Sequence, residues 1–216
     1  MSCCAPPRGY DKLFGERAAR RDARRYRRKG LDKTGKLMVD FLRRRELAGT
    51  TVLEIGGGVG AIEVEVLKEG AARAVNVELS PYYEAAALEL WRGAGVADRA
   101  EFLVADVAAD GEEIRPAGSV VMHRVVCCYP DYERLVGAAA ERAGRYLVMS
   151  FPRERPVTRL GLAAVNLVAR LLRWEYRSYV HPVAGILAAA ERRGLARAFE
   201  HRGFIWQVAA LERPRG

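Results

Sequence analysis

The chain has 216 residues, half of them hydrophobic, and a net charge of +9. That length carries one well-buried core and leaves little for a second, and apolar residues along the whole chain exclude a large disordered domain. No uninterrupted apolar stretch reaches the roughly 20 residues of a membrane-spanning helix, and the N-terminus shows no apolar leader pattern, so a cytoplasmic location is expected.

Residues 1–9 read as a loose tail with Pro6, Pro7 and the first of two adjacent cysteine pairs, Cys3–Cys4. The second pair is Cys127–Cys128. Neighbouring cysteines fit neither a disulfide scaffold nor the C-x-x-C spacing of a zinc site, so reduced thiols and no metal are expected. Two helices follow, over 11–29 and 32–47, with Gly30 as the break. Residues 1–49 thus form an N-terminal helical arm. Twelve Lys/Arg against four Asp/Glu lie between Arg8 and Lys36, which leaves about one positive charge for the rest of the chain. Such a strip serves a small anion, a nucleic acid or a membrane surface, or is simply a solvated face. Solvation or a small anionic partner is favoured over nucleic acid.

From Thr50 the pattern alternates. Strands are predicted over 51–55, 74–79, 101–105, 119–122 and 146–151, with helices over 61–69, 81–91 and 131–143 between them. That order predicts an α/β fold, a Rossmann-like, mostly parallel sheet with helices on both faces. A long helix over 156–174 and another over 186–193 precede two strands, 196–201 and 204–211, joined at Arg202–Gly203. This hairpin makes the sheet seven-stranded, with the last strand antiparallel. Residues 50–216 are expected as one domain, with lid helices over about 153–194. The stripe Leu160, Ala164, Leu167, Val168 and Leu171 is expected to pack in the core; a substrate wall, a homodimer contact or a loose membrane contact are the alternatives.

The most informative segment is Val52–Ala61, a glycine-rich turn between a buried strand and a helix. Gly56, Gly58 and Ala61 satisfy G-x-G-x-x-[GA], and Glu78 follows at a distance suited to ribose hydroxyls. A dinucleotide would explain both. Glu54, two residues before the first glycine, would repel a pyrophosphate and suits a positively charged cofactor. Glu54-Ile55-Gly56-Gly57-Gly58-Val59-Gly60 resembles motif I of class I S-adenosylmethionine-dependent methyltransferases. The resemblance implies that Gly56, Gly58 and Gly60 lie against the cofactor. It implies that Glu54 orients the methionine end, that Glu78, followed by Leu79, takes the ribose hydroxyls, and that Asp106, followed by Val107, meets the adenine. S-adenosylhomocysteine would be the product.

The fourth strand leads into His123-Arg124-Val125-Val126-Cys127-Cys128-Tyr129-Pro130-Asp131. This segment, with Phe151-Pro152-Arg153 and Tyr179-Val180-His181-Pro182, is similar to magnesium-protoporphyrin O-methyltransferases. That implies a small-molecule acceptor, with a carboxylate as candidate, beneath a helical cover. His123 is the candidate general base and also a cofactor neighbour. Arg124 or Arg153 could orient an anion, and Tyr129 completes the candidate catalytic set. Tyr10 and Tyr26 lie in the N-terminal arm, and Tyr26 or the run 24–29 is expected to help close the pocket. An RNA or protein methyltransferase using the basic arm, a nicotinamide-dependent oxidoreductase and a non-catalytic cofactor-binding protein are the competing readings.

Overall fold

The computed structural model describes residues 10–45, 47–110 and 114–215, with residues 10 and 11 as backbone only. Cys3–Cys4 and the Tyr10 side chain lie outside the described residues. Seven strands form one sheet: β1 (Thr51–Ile55), β2 (Arg73–Glu78), β3 (Ala100–Val104), β4 (Ala117–His123), β5 (Ala143–Pro152), β6 (Ala196–Arg202) and β7 (Trp206–Glu212). Their order is β3-β2-β1-β4-β5-β7-β6. The first five run parallel. β7 inserts antiparallel between β5 and β6, and the short β6–β7 connection suits an antiparallel pair. β1 and β4 hold the centre of the sheet, and Val52, Leu53, Val120, Val121 and Met122 are buried there on both faces.

Among the described residues, eight α-helices surround the sheet: α1 (Tyr10–Phe14), α2 (Glu16–Lys29), α3 (Lys33–Arg43), α4 (Ala61–Lys68), α5 (Glu84–Ala94), α6 (Tyr132–Arg142), α7 (Pro156–Leu171) and α8 (Val183–Glu191). α3, α4 and α5 supply Met38, Leu42, Ile62, Leu67 and Trp91 to the core on one face. α6 and α8 supply Leu135, Val136, Ile186 and Leu187 on the other. The arm attaches through small residues: α2 buries only Ala18, Ala19 and Ala23, which leaves its arginines in solvent.

Two expectations fail. The helix expected over 11–29 is two, because Gly15 adopts an extended conformation (φ −91°, ψ −174°) and starts a new helix. The stripe expected in the core of α7 faces outward, and only Thr158 and Ala169 of that helix are buried.

Candidate functional site

Strand order reverses between β1 and β4, and in open parallel sheets a crevice forms at that point beyond the strand ends. The glycine loop leaves β1 there. Gly56, Gly58 and Gly60 have φ of +67°, +56° and +70°, a region costly for residues with a Cβ. Contact with the protein's own side chains tightens the demand. A Cβ on Gly56 would stand 2.4 Å from Val125, and one on Gly60 would stand 2.3 Å from the Trp91 indole. That indole donates to the Gly60 carbonyl at 3.1 Å. Asn76 of β2, which the motif does not announce, clamps the loop from below. Its Oδ1 accepts from Gly57 N–H (3.2 Å) and its Nδ2 donates to the Gly58 carbonyl (3.0 Å).

Glu78 closes the loop's outer side. One carboxylate oxygen accepts from Gly58 N–H and the other from Ser80 N–H, both at 3.0 Å. Burial pushes its pKa up, and the backbone donors offset that only in part. Ser80 Oγ in turn donates to the Phe14 carbonyl at 2.6 Å, which ties α1 to the loop.

Gly56, Gly57, Gly58 and Glu78 line a cavity of about 420 Å³, together with Leu79, Asp106, Val107, His123, Arg124, Cys128 and Tyr129. Pockets of about 300–1,000 Å³ suit drug-sized ligands. The arm contributes Phe14 and Asp22. Asp106 accepts from the Tyr129 hydroxyl on both oxygens (3.2 and 3.0 Å) and caps the following turn through Ala108 N–H (2.9 Å). The Tyr129 carbonyl meets His181 Nε2 at 2.9 Å, and burial lowers the pKa of that imidazole. His181 therefore positions Tyr129, and Tyr129 positions Asp106.

At the end of β4, Arg124 is a non-glycine residue with φ +62°. Its guanidinium pairs with Asp32 at 2.5 Å and lies 4.6 Å over the Trp206 ring. His123 Nε2 lies 3.4 Å from the other Asp32 oxygen. Burial disfavours ionised Asp32, but His123, the Gly35 N–H and Arg124 outweigh it and hold the carboxyl well below its usual range. One acid at the start of α3 thus organises both candidate catalytic residues. The helix signal had marked residue 32 only as a helix start.

Glu54 does not line this cavity. It faces a smaller side pocket of about 130 Å³, which also holds Asp22, Arg25, Tyr26, Asp32 and Arg124. It is fully buried beside Glu63 of α4. Burial first, then repulsion by Glu63, pushes the Glu54 pKa well up, and Glu63 is raised to about 7, chiefly by burial. The free carboxylate expected at Glu54 is replaced by a carboxyl pair that favours holding a proton. Glu54 Oε2 and both Glu63 oxygens have no hydrogen-bond partner among the described residues.

The remaining expectations divide. Gly56, Gly58, Glu78, Leu79, Asp106, Val107, His123, Arg124 and Tyr129 come together around one cavity, while Gly60 serves the loop from behind. Arg153 does not join them: its guanidinium donates to the Gly203 carbonyl at 2.9 Å, at the hairpin. Tyr26 borders the side pocket and donates to Glu65 at 2.5 Å. Cys128 reaches the rim, and its sulfur accepts from the Tyr176 hydroxyl at 3.2 Å. Cys127 is buried with its thiol pKa raised, chiefly by its contact with Cys128.

No family model matches the chain. The ribosomal protein L11 methyltransferase of Serratia proteamaculans is 34% identical over 82 residues, which cover 38% of this chain and 28% of that protein. The Aeromonas hydrophila enzyme of the same name is 36% identical over 84 residues, 38% of this chain and 29% of the relative. The chain therefore matches under a third of the length of these curated relatives. Among solved structures, magnesium protoporphyrin IX methyltransferase from Synechocystis PCC 6803 with bound S-adenosylhomocysteine superposes with a TM-score of 0.74. The two share 19% identity, over 94% of this chain and 97% of that one. An O-methyltransferase family 2 protein from Planctomyces limnophilus, in complex with apigenin, superposes with a TM-score of 0.68 at 18% identity, over 92% of this chain and 62% of that one. The chain has the fold of S-adenosylmethionine-dependent methyltransferases.

Proposed function

We propose that the protein is an S-adenosylmethionine-dependent methyltransferase acting on a small-molecule acceptor, with a carboxylate as the candidate methylated group. The observation that carries this reading is the convergence of the glycine loop, the Glu78 carboxylate and Asp106 on one cavity beyond β1, β2 and β3. The residues fit the cofactor. Glu78 offers a buried acceptor pair suited to ribose hydroxyls, and Asp106 is held in place by Tyr129. Glu54 lines the adjoining side pocket with an unpartnered oxygen, but its pair with Glu63 favours holding a proton, so it offers a cationic ammonium a polar acceptor rather than a full counter-charge.

When bound, the cofactor supplies an electrophilic methyl group. The chain's own part is alignment and exclusion of water. Phe14 and Asp22 of the arm cover the cavity, and His123 and Arg124 sit at its rim, anchored by Asp32. An acceptor that is already a carboxylate needs no strong base, so alignment carries the reaction. Arg124 is neutralised by Asp32, so its pull on an acceptor anion is weaker than a lone arginine's.

The partial likeness to ribosomal protein L11 methyltransferases supports a second reading, a protein acceptor reached by the same cavity. Calorimetric titration with S-adenosylmethionine, S-adenosylhomocysteine and NADH decides the cofactor. The adenosyl ligands are expected to bind and NADH not to. Glu78→Ala is expected to weaken binding about tenfold or more, the loss of one or two hydrogen bonds to a charged group. NADH binding alone would replace the reading with an oxidoreductase. Methyl transfer to a carboxylate panel, compared with a basic protein substrate, separates the two acceptors.

A further inference from the structure

α7 is built inside out. Amphipathic helices of soluble proteins hide their apolar stripe, but here the inner face carries Thr158, Leu162, Asn166 and Ala169. Asn166 fastens that face to the following segment: its Nδ2 donates to the Ser178 carbonyl and its Oδ1 accepts from Ser178 N–H, both at 2.8 Å. The outer face carries Val157, Leu160, Leu167, Val168 and Leu171, with Leu160 at 74% and Leu171 at 73% exposure. A second apolar projection adjoins its start. Phe204 and Ile205 at the tip of the β6–β7 hairpin are exposed. Arg155 joins tip to helix, with its guanidinium 4.9 Å over the Phe204 ring.

We infer that α7 and the hairpin tip form a docking surface for an anionic lipid bilayer. The charges favour that occupant. Between residues 155 and 173 there are four arginines and no acid, all near the two ends of α7: Arg155 and Arg159 at its start, Arg170 in its last turn and Arg173 just beyond it. Glu154 lies 3.9 Å from Arg159, outside the stripe. An apolar face ending in arginines matches the depth profile of a helix lying in the membrane plane, with head groups meeting the cations. At 16 residues α7 lies flat rather than spanning, and among the described residues no helix is long and apolar enough to cross a membrane. The arm extends the cationic rim: Arg17, Arg21 and Arg24 line a cleft of about 590 Å³ that Val165 of α7 completes. A second copy of the chain fits less well, because two-fold pairing of this face would set arginines against arginines.

The inference does not depend on methyl transfer, and its test needs no cofactor. The full chain is sedimented with vesicles of phosphatidylcholine alone or mixed with phosphatidylglycerol. The expected result is recovery with the mixed vesicles, weakened by salt. Leu160→Glu/Leu171→Glu is expected to lower partitioning more than about tenfold with unchanged thermal unfolding, since both side chains are exposed. Arg159→Gln/Arg170→Gln should remove only the part that phosphatidylglycerol adds. Wild-type protein left in the supernatant with both vesicles would overturn the inference, and so would full binding by the double glutamate variant. Sedimentation velocity tests the other occupant, a second copy. A wild-type dimer that the double glutamate variant dissolves, with no vesicle binding by either, makes the face a copy–copy interface and sinks the bilayer.

Discussion

Glu63 sits in the first turn of α4 with no exposure to solvent, beside a second buried carboxyl. Its ordinary pKa of 4.5 rises to about 7 in the folded protein. The folded state therefore holds a proton that the unfolded state releases between those values. By linkage, the contribution of Glu63 to stability is lost as pH rises from about 4.5 to about 7, and Glu54, also raised, carries the fall to higher pH. Glu63→Gln keeps the shape and removes the titration, so its melting temperature is expected to vary less over that window than the wild type's. A wild-type melting temperature that rises steadily from pH 5 to pH 7 would contradict the buried pair. The residue scale also separates what was legible from what was not. The positions of Glu78 and Asp106 at the crevice were readable because Glu78 ends β2 and Asp106 stands just beyond β3, where strand ends face the crevice. Asp32, Asn76 and Glu63 were not, since their roles depend on tertiary contacts with Arg124, Gly57 and Glu54 that no local pattern carries.

At the scale of elements, the strand–loop–helix unit from β1 to α4 behaves as one piece with Trp91 of α5. Gly60 has φ +70°, and a Cβ there would sit 2.3 Å from the indole nitrogen. Gly95 offers a natural control, with the same left-handed backbone (φ +70°, ψ +31°) and nothing within 4 Å of an added Cβ. Gly95→Ala should cost about 1–2 kcal/mol for the left-handed backbone alone. Gly60→Ala adds overpacking against a buried ring, about 1–3 kcal/mol more. Denaturant unfolding of the two variants measures the difference, and equal losses would mean that Trp91 moves aside freely. The strands that built this unit were predictable from their apolar runs and from glycine punctuation, and so was the terminal hairpin. α7 was misjudged because an apolar stripe reports only that a helix has two faces. Which face turns inward was decided by Asn166 and its two bonds to Ser178.

At the scale of the whole molecule, the arm and the sheet meet at a few polar ties above small-residue packing. Tyr83 donates to Asp22 at 3.2 Å, Arg27 pairs with Glu89 at 2.7 Å, and Ser80 donates to the Phe14 carbonyl at 2.6 Å. The Arg27–Glu89 pair is exposed and contributes little. Ser80 is buried and has two jobs, because its backbone N–H also supports Glu78. Ser80→Ala keeps that N–H and deletes only the hydroxyl, so it tests the arm's attachment without touching the ribose acid. A buried hydrogen bond is worth about 1 kcal/mol, or roughly fivefold in an equilibrium. On the proposed function, the variant should loosen α1, seen as faster amide exchange over residues 10–14. It should also weaken S-adenosylhomocysteine binding by about that factor, mainly through faster release. The arm covers the cavity through Phe14, so opening it leaves the glycine loop intact and shortens only the residence of what the loop holds. Unchanged exchange with weakened binding would place the effect at Glu78 instead, and the arm would then be packing rather than a cover.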